Sequence, residues 1–314
     1  MLPWLAPYLA DFGRWQQSQR LAHAYLLTGP SGVGKAQLAQ QFALQLLCRN
    51  QVGCGQCHSC QLVKAGTHPD LHRVEPDGGS IKVDAIRALV GPVYSAALMG
   101  GAKVVLMHQA DRLNLNAANA LLKSLEEPPA NTYWLLTSSQ PGQLLPTILS
   151  RCQKLHLPAP PADQAQAWLQ GQGIQASPAL LRRFHGAPLA LQRALADGYQ
   201  EKVAKLQADL VALETRHLYP ENFADRWHKE ALFCLDELAH RLLDQARLAR
   251  GLAPLYHDHL DRQERLGEEA LTGLWQAVLG SRKQLLEQPA INSKWLLVDI
   301  AWQLMEGRSD NVVG

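Results

Sequence analysis

A short glycine-rich segment near the start of the chain constrains the fold more than any other feature. Residues 29–36 read Gly-Pro-Ser-Gly-Val-Gly-Lys-Ala, close to the phosphate-binding pattern G-x-x-x-x-G-K-[ST]. The apolar run Ala24–Thr28 predicts a strand before it, and the residues after it predict a helix. Small residues at such a turn let backbone N–H groups and the helix N-terminus face phosphate oxygens. We therefore expect a parallel α/β domain whose phosphate-binding residues are Gly29, Gly34 and Lys35.

The groups that would hold Mg²⁺ beside this loop are missing from the sequence. Ala36 stands where the pattern has a hydroxyl residue. The apolar run Val104–Met107 predicts a second strand, and it is followed by His108 and Gln109 where a nucleotide-hydrolysing site carries an acidic residue. Asp111 lies beyond the strand end, and we expect it to cap the next segment. Because three positions lack suitable Mg²⁺ ligands, the sequence predicts that ATP with Mg²⁺ is not turned over, although the loop could still bind an anion.

Short apolar runs alternate with helical patterns over residues 24–157, as in a parallel sheet covered by helices. A particularly regular helical pattern covers residues 116–127 and ends at two prolines. Beyond the Ala-Pro-Pro linker at 159–161, only helical patterns follow. The predicted strands are Ala24–Thr28, Leu71–Glu75, Val104–Met107, Tyr133–Thr137 and Lys154–Leu157. The predicted domains are residues 1–160 (phosphate-loop domain), 161–203 (a small helical unit) and 204–314 (a helical bundle).

Composition limits the class of protein. The chain is 47% hydrophobic and 18% charged, which is ordinary for a globular protein. No apolar run reaches the roughly 20 residues that a membrane-spanning helix needs, and the first residues lack the basic segment of a signal peptide. We therefore expect a cytoplasmic protein without a membrane partner. The net charge is only +2, and residues 1–160 carry 13 basic against 8 acidic residues, a bias that permits contact with DNA without requiring it.

Four of the six cysteines lie close together in the sequence. They have the spacing C-x5-C-x2-C-x2-C, and an x2 gap lets two sulfurs converge on one ion. In a reducing compartment such clustering favours a metal over disulfides. We expect a structural zinc site, with an iron–sulfur cluster and metal-free buried thiols as the alternatives. His58 and His68 lie nearby and are expected to be surface residues. The predicted ligands are Cys48, Cys54, Cys57 and Cys60.

Arg151 lies between a short helical segment and the last predicted strand. An arginine fixed at that point can project from the domain surface. Its guanidinium group is planar and always charged, and it suits the stabilisation of a phosphate. From spacing alone, an ordinary surface salt bridge is the simpler interpretation.

Several of these segments together resemble the clamp-loader AAA+ proteins of bacterial DNA polymerase III. The resemblance rests on the glycine loop, the four cysteines, residues 117–129 and Ser150-Arg151-Cys152, and it extends to residues 285–294. It implies a RecA-like AAA+ domain with an inserted zinc module at 48–60, a small helical lid and an all-α C-terminal collar domain that oligomerises a ring. It also implies that Arg151 is an arginine finger, acting in trans on ATP held by an adjacent subunit.

The resemblance further implies a non-hydrolysing stator subunit in a hetero-pentameric ring. The stretch Gly186-Ala-Pro-Leu lacks the arginine that ATP-hydrolysing members carry there. The implied partners are gamma/tau-like motor subunits and a delta-like wrench subunit, and the ring loads a sliding clamp on primed DNA. The chain would thus be an accessory subunit of a DNA-directed DNA polymerase, a nucleotidyltransferase complex. Two other functions stay open: an active AAA+ ATPase motor, and a zinc-dependent nucleic-acid-binding module, which the near-neutral charge disfavours.

Overall fold

The computed structural model describes residues 2–258, 266–288 and 290–307. The chain divides into two compact units, Met1–Gly173 with His185–Ala190, and Ile174–Phe184 with Leu191–Gly314. The three domains expected from the sequence stay a prediction, and the last seven residues of the third, 308–314, lie outside the described residues.

A five-stranded parallel sheet forms the centre of the first unit, as the sequence predicts. Its order is β2-β3-β4-β1-β5, so β1 lies between two strands that follow it much later in the chain. The order reverses at β1, and ligands of open parallel sheets bind outside the carboxyl ends of the strands at such a point. The strands are β1 (Ala24–Thr28), β2 (Leu71–Val74), β3 (Lys103–Met107), β4 (Thr132–Ser138) and β5 (Gln153–His156).

Helices cover both faces of this sheet. The helices between the strands follow the alternation that the sequence shows over residues 24–157, whereas the first helix precedes it and the last follows it. Helix α5 begins one residue before the predicted segment and ends one residue before its end. Its cap is Asn114, whose side chain accepts a hydrogen bond from the Ala117 N–H. The helices are α1 (Ala6–Gln17), α2 (Lys35–Leu47), α3 (His58–Ala65), α4 (Val83–Tyr94), α5 (Leu115–Glu126), α6 (Pro146–Arg151) and α7 (Ala162–Gly171).

The strand residues divide between two hydrophobic layers with a period of two. Tyr25 and Leu27 of β1 pack in one layer with residues of α1 and α2, such as Phe12 and Phe42. The neighbouring β1 residues Ala24 and Leu26 face the other layer, together with apolar residues of α4 and α5. Burial on both faces explains why β1 and β3 read as continuous apolar runs.

The second unit is helical, as its periodic pattern indicates. Its core is formed by residues such as Leu210, Phe223, Leu235, Val278 and Ile300, all almost fully buried. Asn292 caps the last helix by accepting a hydrogen bond from the Lys294 N–H. The helices after α7 are α8 (Pro178–Arg183), α9 (Pro188–Ala196), α10 (Tyr199–Glu214), α11 (Pro220–Trp227), α12 (Ala231–Ala249), α13 (Glu268–Glu287) and α14 (Ser293–Glu306).

A buried ion pair lies inside this second unit. Arg183 donates to Glu237 at 2.8 Å, and less than a tenth of either side chain is exposed. Tyr199 also donates its hydroxyl hydrogen to the Glu237 carboxylate, at 2.5 Å. Desolvation raises the pKa of Glu237, but the hydrogen bond from His240, the charge of Arg183 and the Tyr199 hydroxyl together hold it below its usual value. By contrast, the Lys202–Glu230 pair is almost half exposed.

Candidate functional site

The glycine loop joins the carboxyl end of β1 to the start of α2. Gly29, Gly32 and Gly34 all have positive φ, at 141°, 84° and 101°, a region that favours glycine. Their missing side chains also make room for neighbouring backbone. A Cβ on Gly29 would lie 2.0 Å from the Leu157 carbonyl oxygen, and one on Gly32 would lie 2.4 Å from the Ala190 nitrogen. The loop therefore packs tightly against other parts of the first unit.

The first residues of the chain cover the other side of the loop. Trp4 donates its indole N–H to the Val33 carbonyl oxygen at 2.8 Å. A Cβ on Gly34 would lie 2.6 Å from the Leu2 side chain and 3.2 Å from that of Leu5. Trp4, Leu2 and Leu5 are themselves buried, so this apolar segment is part of the core rather than a loose terminus.

Lys35 is buried, and its ammonium group contacts protein oxygens. The ammonium donates to the carbonyl oxygens of Gly29 and Pro30, both at 2.7 Å, and to the Ser139 hydroxyl at 3.1 Å. These three bonds use all three of its hydrogens. Burial lowers the pKa of Lys35 to about 8, although the charge of Asp111 opposes the shift. A phosphate oxygen would have to displace one of these partners to reach the lysine.

The carboxyl end of β3 offers no carboxylate for a metal. His108 is half-buried, burial lowers its pKa, and its Nδ1 has no hydrogen-bond partner among the described residues. Gln109 adopts a positive φ of 53°, and its N–H donates to the Thr137 hydroxyl at 3.1 Å. The expectation that Asp111 caps the next segment is wrong. Asp111 lies inside a short turn, and its carboxylate accepts the Ser139 N–H at 3.1 Å.

The four clustered cysteines converge in space. Their Sγ atoms all lie within 4.8 Å of one another, and three of the separations are 3.6, 4.0 and 4.0 Å. A tetrahedral ion with bonds of about 2.3 Å to sulfur requires separations of about 3.8 Å. The cluster could therefore hold a metal ion. It is built from Cys48 after α2, Cys54, Cys57 before α3, and Cys60 within α3.

The thiols of this cluster differ in acidity. Burial raises the pKa of Cys48, but backbone N–H bonds outweigh it and bring the value to about 6. Burial raises the pKa of Cys60 to about 12. Without a cation the cluster cannot hold four thiolates at neutral pH, because their charges repel one another. A divalent ion would supply the compensating charge.

A layer of buried polar residues supports the cysteine cluster. His68, predicted as a surface residue, is buried; this prediction is wrong. Its Nε2 lies 3.0 Å from the Ser59 hydroxyl, and its Nδ1 accepts the Asp70 N–H at 3.1 Å. The Asp70 carboxylate in turn accepts the N–H groups of Leu98 and Met99 at 2.7 and 2.8 Å. His68 therefore orients α3, which carries Cys60, rather than presenting itself to solvent.

Arg151 is the last residue of α6. Its guanidinium group pairs with Glu126 at 2.7 Å, and a third of its side chain is exposed. β5 begins two residues later, where Gln153 pairs with Tyr25 near the start of β1. Because β1 and β5 are parallel, Arg151 lies at the amino end of these strands and the glycine loop at the carboxyl end. β5 separates the two ends by about 13 Å, so Arg151 belongs to a different surface from the loop.

Comparison with known proteins decides the family. A family model described as "DNA polymerase III, delta subunit" matches residues 6–161. The DNA polymerase III subunit delta' of Pseudomonas aeruginosa is 37% identical, over 95% of this chain and 99% of its own length.

The chain belongs to the delta' family of DNA polymerase III subunits.

Two further proteins are similar to this chain. The tau/gamma subunit of Haemophilus influenzae is 41% identical over 46% of this chain and 21% of its own length. The crystal structure of a DNA polymerase III gamma subunit-related protein from Thermotoga maritima has a TM-score of 0.57 and 17% identity, covering 96% of this chain and 99% of that one. That likeness shows the fold alone. The predicted parallel α/β fold with a helical C-terminal part is confirmed, as is the prediction of a clamp-loader subunit.

The structure assigns contacts that the sequence did not predict. Ser139 accepts a hydrogen bond from the Lys35 ammonium, and the Ser139 N–H donates to Asp111, for which the sequence predicted a different role. Glu126, the partner of Arg151, does lie in the distinctive segment 116–127, but spacing gives no hint of its partner. Among the described residues, no helix is both long enough and apolar enough to span a bilayer.

Proposed function

We propose that this delta' chain is a stator: it hydrolyses no ATP itself and provides Arg151 to ATP held by an adjacent tau/gamma-like motor subunit. The ring would be a hetero-pentamer that also contains a delta-like wrench subunit and loads a sliding clamp on primed DNA. The cytoplasm stays its predicted location.

The absence of Mg²⁺ ligands carries the first half of the proposal. Ala36 has no hydroxyl group, and β3 leads into His108 and Gln109. The Asp111 carboxylate, two residues after Gln109, already accepts the Ser139 N–H. Phosphoryl transfer relies on the metal to neutralise developing charge, so the arrangement supports a subunit without turnover of its own.

The location of Arg151 supports the second half. It lies at the sheet edge opposite its own glycine loop, and a third of its side chain is accessible. An arginine there cannot reach a nucleotide bound at the glycine loop of its own domain, but it can contact a nucleotide bound by a neighbouring subunit. A finger supplied in trans accelerates hydrolysis by about 10³–10⁵ in other nucleotide-hydrolysing proteins.

The cysteine cluster is proposed to hold Zn²⁺ through Cys48, Cys54, Cys57 and Cys60. Four sulfur ligands close the tetrahedron and leave no position for water, so the ion would be structural. It would tie the end of α2 to α3.

Arg151→Ala tests the stator function. Reconstituted with its motor subunits, the variant should lower the ATPase rate of the assembly by at least tenfold without changing the melting temperature of this subunit. Arg87→Ala is the matched control, because Arg87 is also an exposed arginine in an ion pair and should leave the rate unchanged. An unchanged rate for Arg151→Ala contradicts the finger. Mg²⁺-dependent ATP turnover by this chain alone, abolished by Lys35→Ala, contradicts the stator.

A further inference from the structure

The guanidinium group of Arg151 is bound within its own domain. Nη2 lies 2.7 Å from a carboxylate oxygen of Glu126, the last residue of α5. Nη1 donates to the Thr147 carbonyl oxygen at 3.0 Å and lies 3.4 Å from the Ser150 hydroxyl. Both terminal nitrogens are therefore engaged.

This arrangement competes with phosphate binding. Arginine binds a phosphate most strongly when two N–H groups form parallel bonds to its oxygens. The terminal nitrogens provide such a pair, but here one of them is committed to the Glu126 carboxylate. That carboxylate would also repel an approaching phosphate. Arg151 can therefore act fully on a neighbour's nucleotide only after it leaves Glu126.

Release is easy, because solvent reaches both partners. The exposed fractions are 33% for the Arg151 side chain and 48% for that of Glu126. Pairs this accessible shift an equilibrium by no more than about fivefold. The contact is strong enough to favour the conformation in which Arg151 pairs with Glu126. It is also weak enough to break when a neighbouring triphosphate competes for the guanidinium group.

We propose that Glu126 is a latch that holds Arg151 against its own domain and yields it to the nucleotide of the adjacent subunit. The latch rests on the proposed finger function of Arg151. It makes Glu126 a positioning residue that sets how much of the finger is available.

Glu126→Gln tests the latch in the reconstituted assembly. The variant keeps the side-chain shape and removes the charge, so the ATPase rate should rise by about two- to fivefold. Glu127→Gln is the control, since Glu127 is the next residue, is exposed, and forms no ion pair in the described part of the chain. It should leave the rate unchanged, which separates the contact from a general change in charge. The double variant Glu126→Gln/Arg151→Ala should show the low rate of Arg151→Ala.

A second measurement observes the contact itself in the full isolated chain. Nuclear magnetic resonance of arginine side chains should show faster rotation of the Arg151 guanidinium in Glu126→Gln than in the wild type and in Glu127→Gln. The signal is assigned by its loss in Arg151→Ala.

The outcomes separate the two proposals. If Arg151→Ala leaves the assembly rate unchanged, the finger itself is wrong. A second case is that Arg151→Ala lowers the ATPase rate while the rate of Glu126→Gln equals that of Glu127→Gln or lies below that of the wild type. In that case the finger function is supported and the latch is wrong. Identical guanidinium rotation in all three chains also overturns the latch.

Discussion

Gly29→Ala should strongly destabilise the first unit, although the loop is not expected to support hydrolysis. The added Cβ would lie 2.0 Å from the Leu157 carbonyl oxygen and 3.0 Å from its carbon, both backbone atoms. Ordinary contacts at a Cβ begin near 3.4 Å, so the loop or the end of β5 must move by more than 1 Å. The backbone φ of 141° adds a second cost for any residue with a side chain.

The magnitude follows from those two costs. A residue held in a glycine-only region costs about 1–3 kcal/mol, and overpacking of a filled site costs about 1–3 kcal/mol. The two costs together give an expected loss of about 2–6 kcal/mol, a large part of the stability of an ordinary domain. At about 2–4 °C per kcal/mol for a unit of this size, such a loss lowers the melting temperature by about 4–24 °C.

Thermal unfolding followed by circular dichroism provides the assay. Gly142→Ala is the control, since its Cβ would meet no atom within 4 Å and its φ is not positive. That substitution should change stability by less than about 0.5 kcal/mol. A melting temperature for Gly29→Ala within about 2 °C of the control would refute the view that packing and backbone conformation require glycine here.

Three further predictions concern charge, metal and the second unit. As the pH rises from 8 to 10.5, the free energy of unfolding of the wild type should increase relative to that of Lys35→Met. Burial lowers the pKa of Lys35 in the folded state to about 8 from 10.5, so the unfolded state binds more protons in this range. Urea titrations of both proteins at each pH measure the difference, and the same pH dependence in both would contradict the prediction. In metal analysis of the purified proteins, Cys60→Ser should bind less than about half an equivalent of zinc instead of one. The control Cys152→Ser, which changes a cysteine outside the cluster, should keep the full equivalent. Glu237→Gln should cost about 3–5 kcal/mol in urea unfolding, because it leaves a buried arginine without its carboxylate, and Glu230→Gln, in an exposed pair, should cost less than about 1 kcal/mol.

The predictions that succeeded depend on local pattern. The apolar runs located all five strands to within one residue at each end. The inner strands β1, β3 and β4 are buried along almost their whole length and are therefore apolar on both faces, whereas the edge strands β2 and β5 are more exposed. The x2 spacing of the cysteines was sufficient to predict their convergence, because a tight turn brings such thiols together without help from distant residues.

The predictions that failed concern polar residues whose partners the sequence does not reveal. His68 was expected at the surface but lies buried against Ser59, nine residues earlier in α3. Asp111 was expected to cap its own segment, yet its carboxylate binds the N–H of Ser139, 28 residues away. A polar residue gives no sign in the sequence of which distant group will satisfy it.

The sequence by itself determined the phosphate-loop fold, the converging cysteines and the loss of Mg²⁺ ligands, because each follows from residue types at short spacing. Tertiary structure alone decided how the remaining charges are used. Lys35 reaches Ser139, 104 residues away, because β1 pairs with β4. Arg151 reaches Glu126 because α5 and α6 pack on the same side of the sheet. Such pairings are set by the order of strands and the packing of helices, which no single segment of the chain encodes.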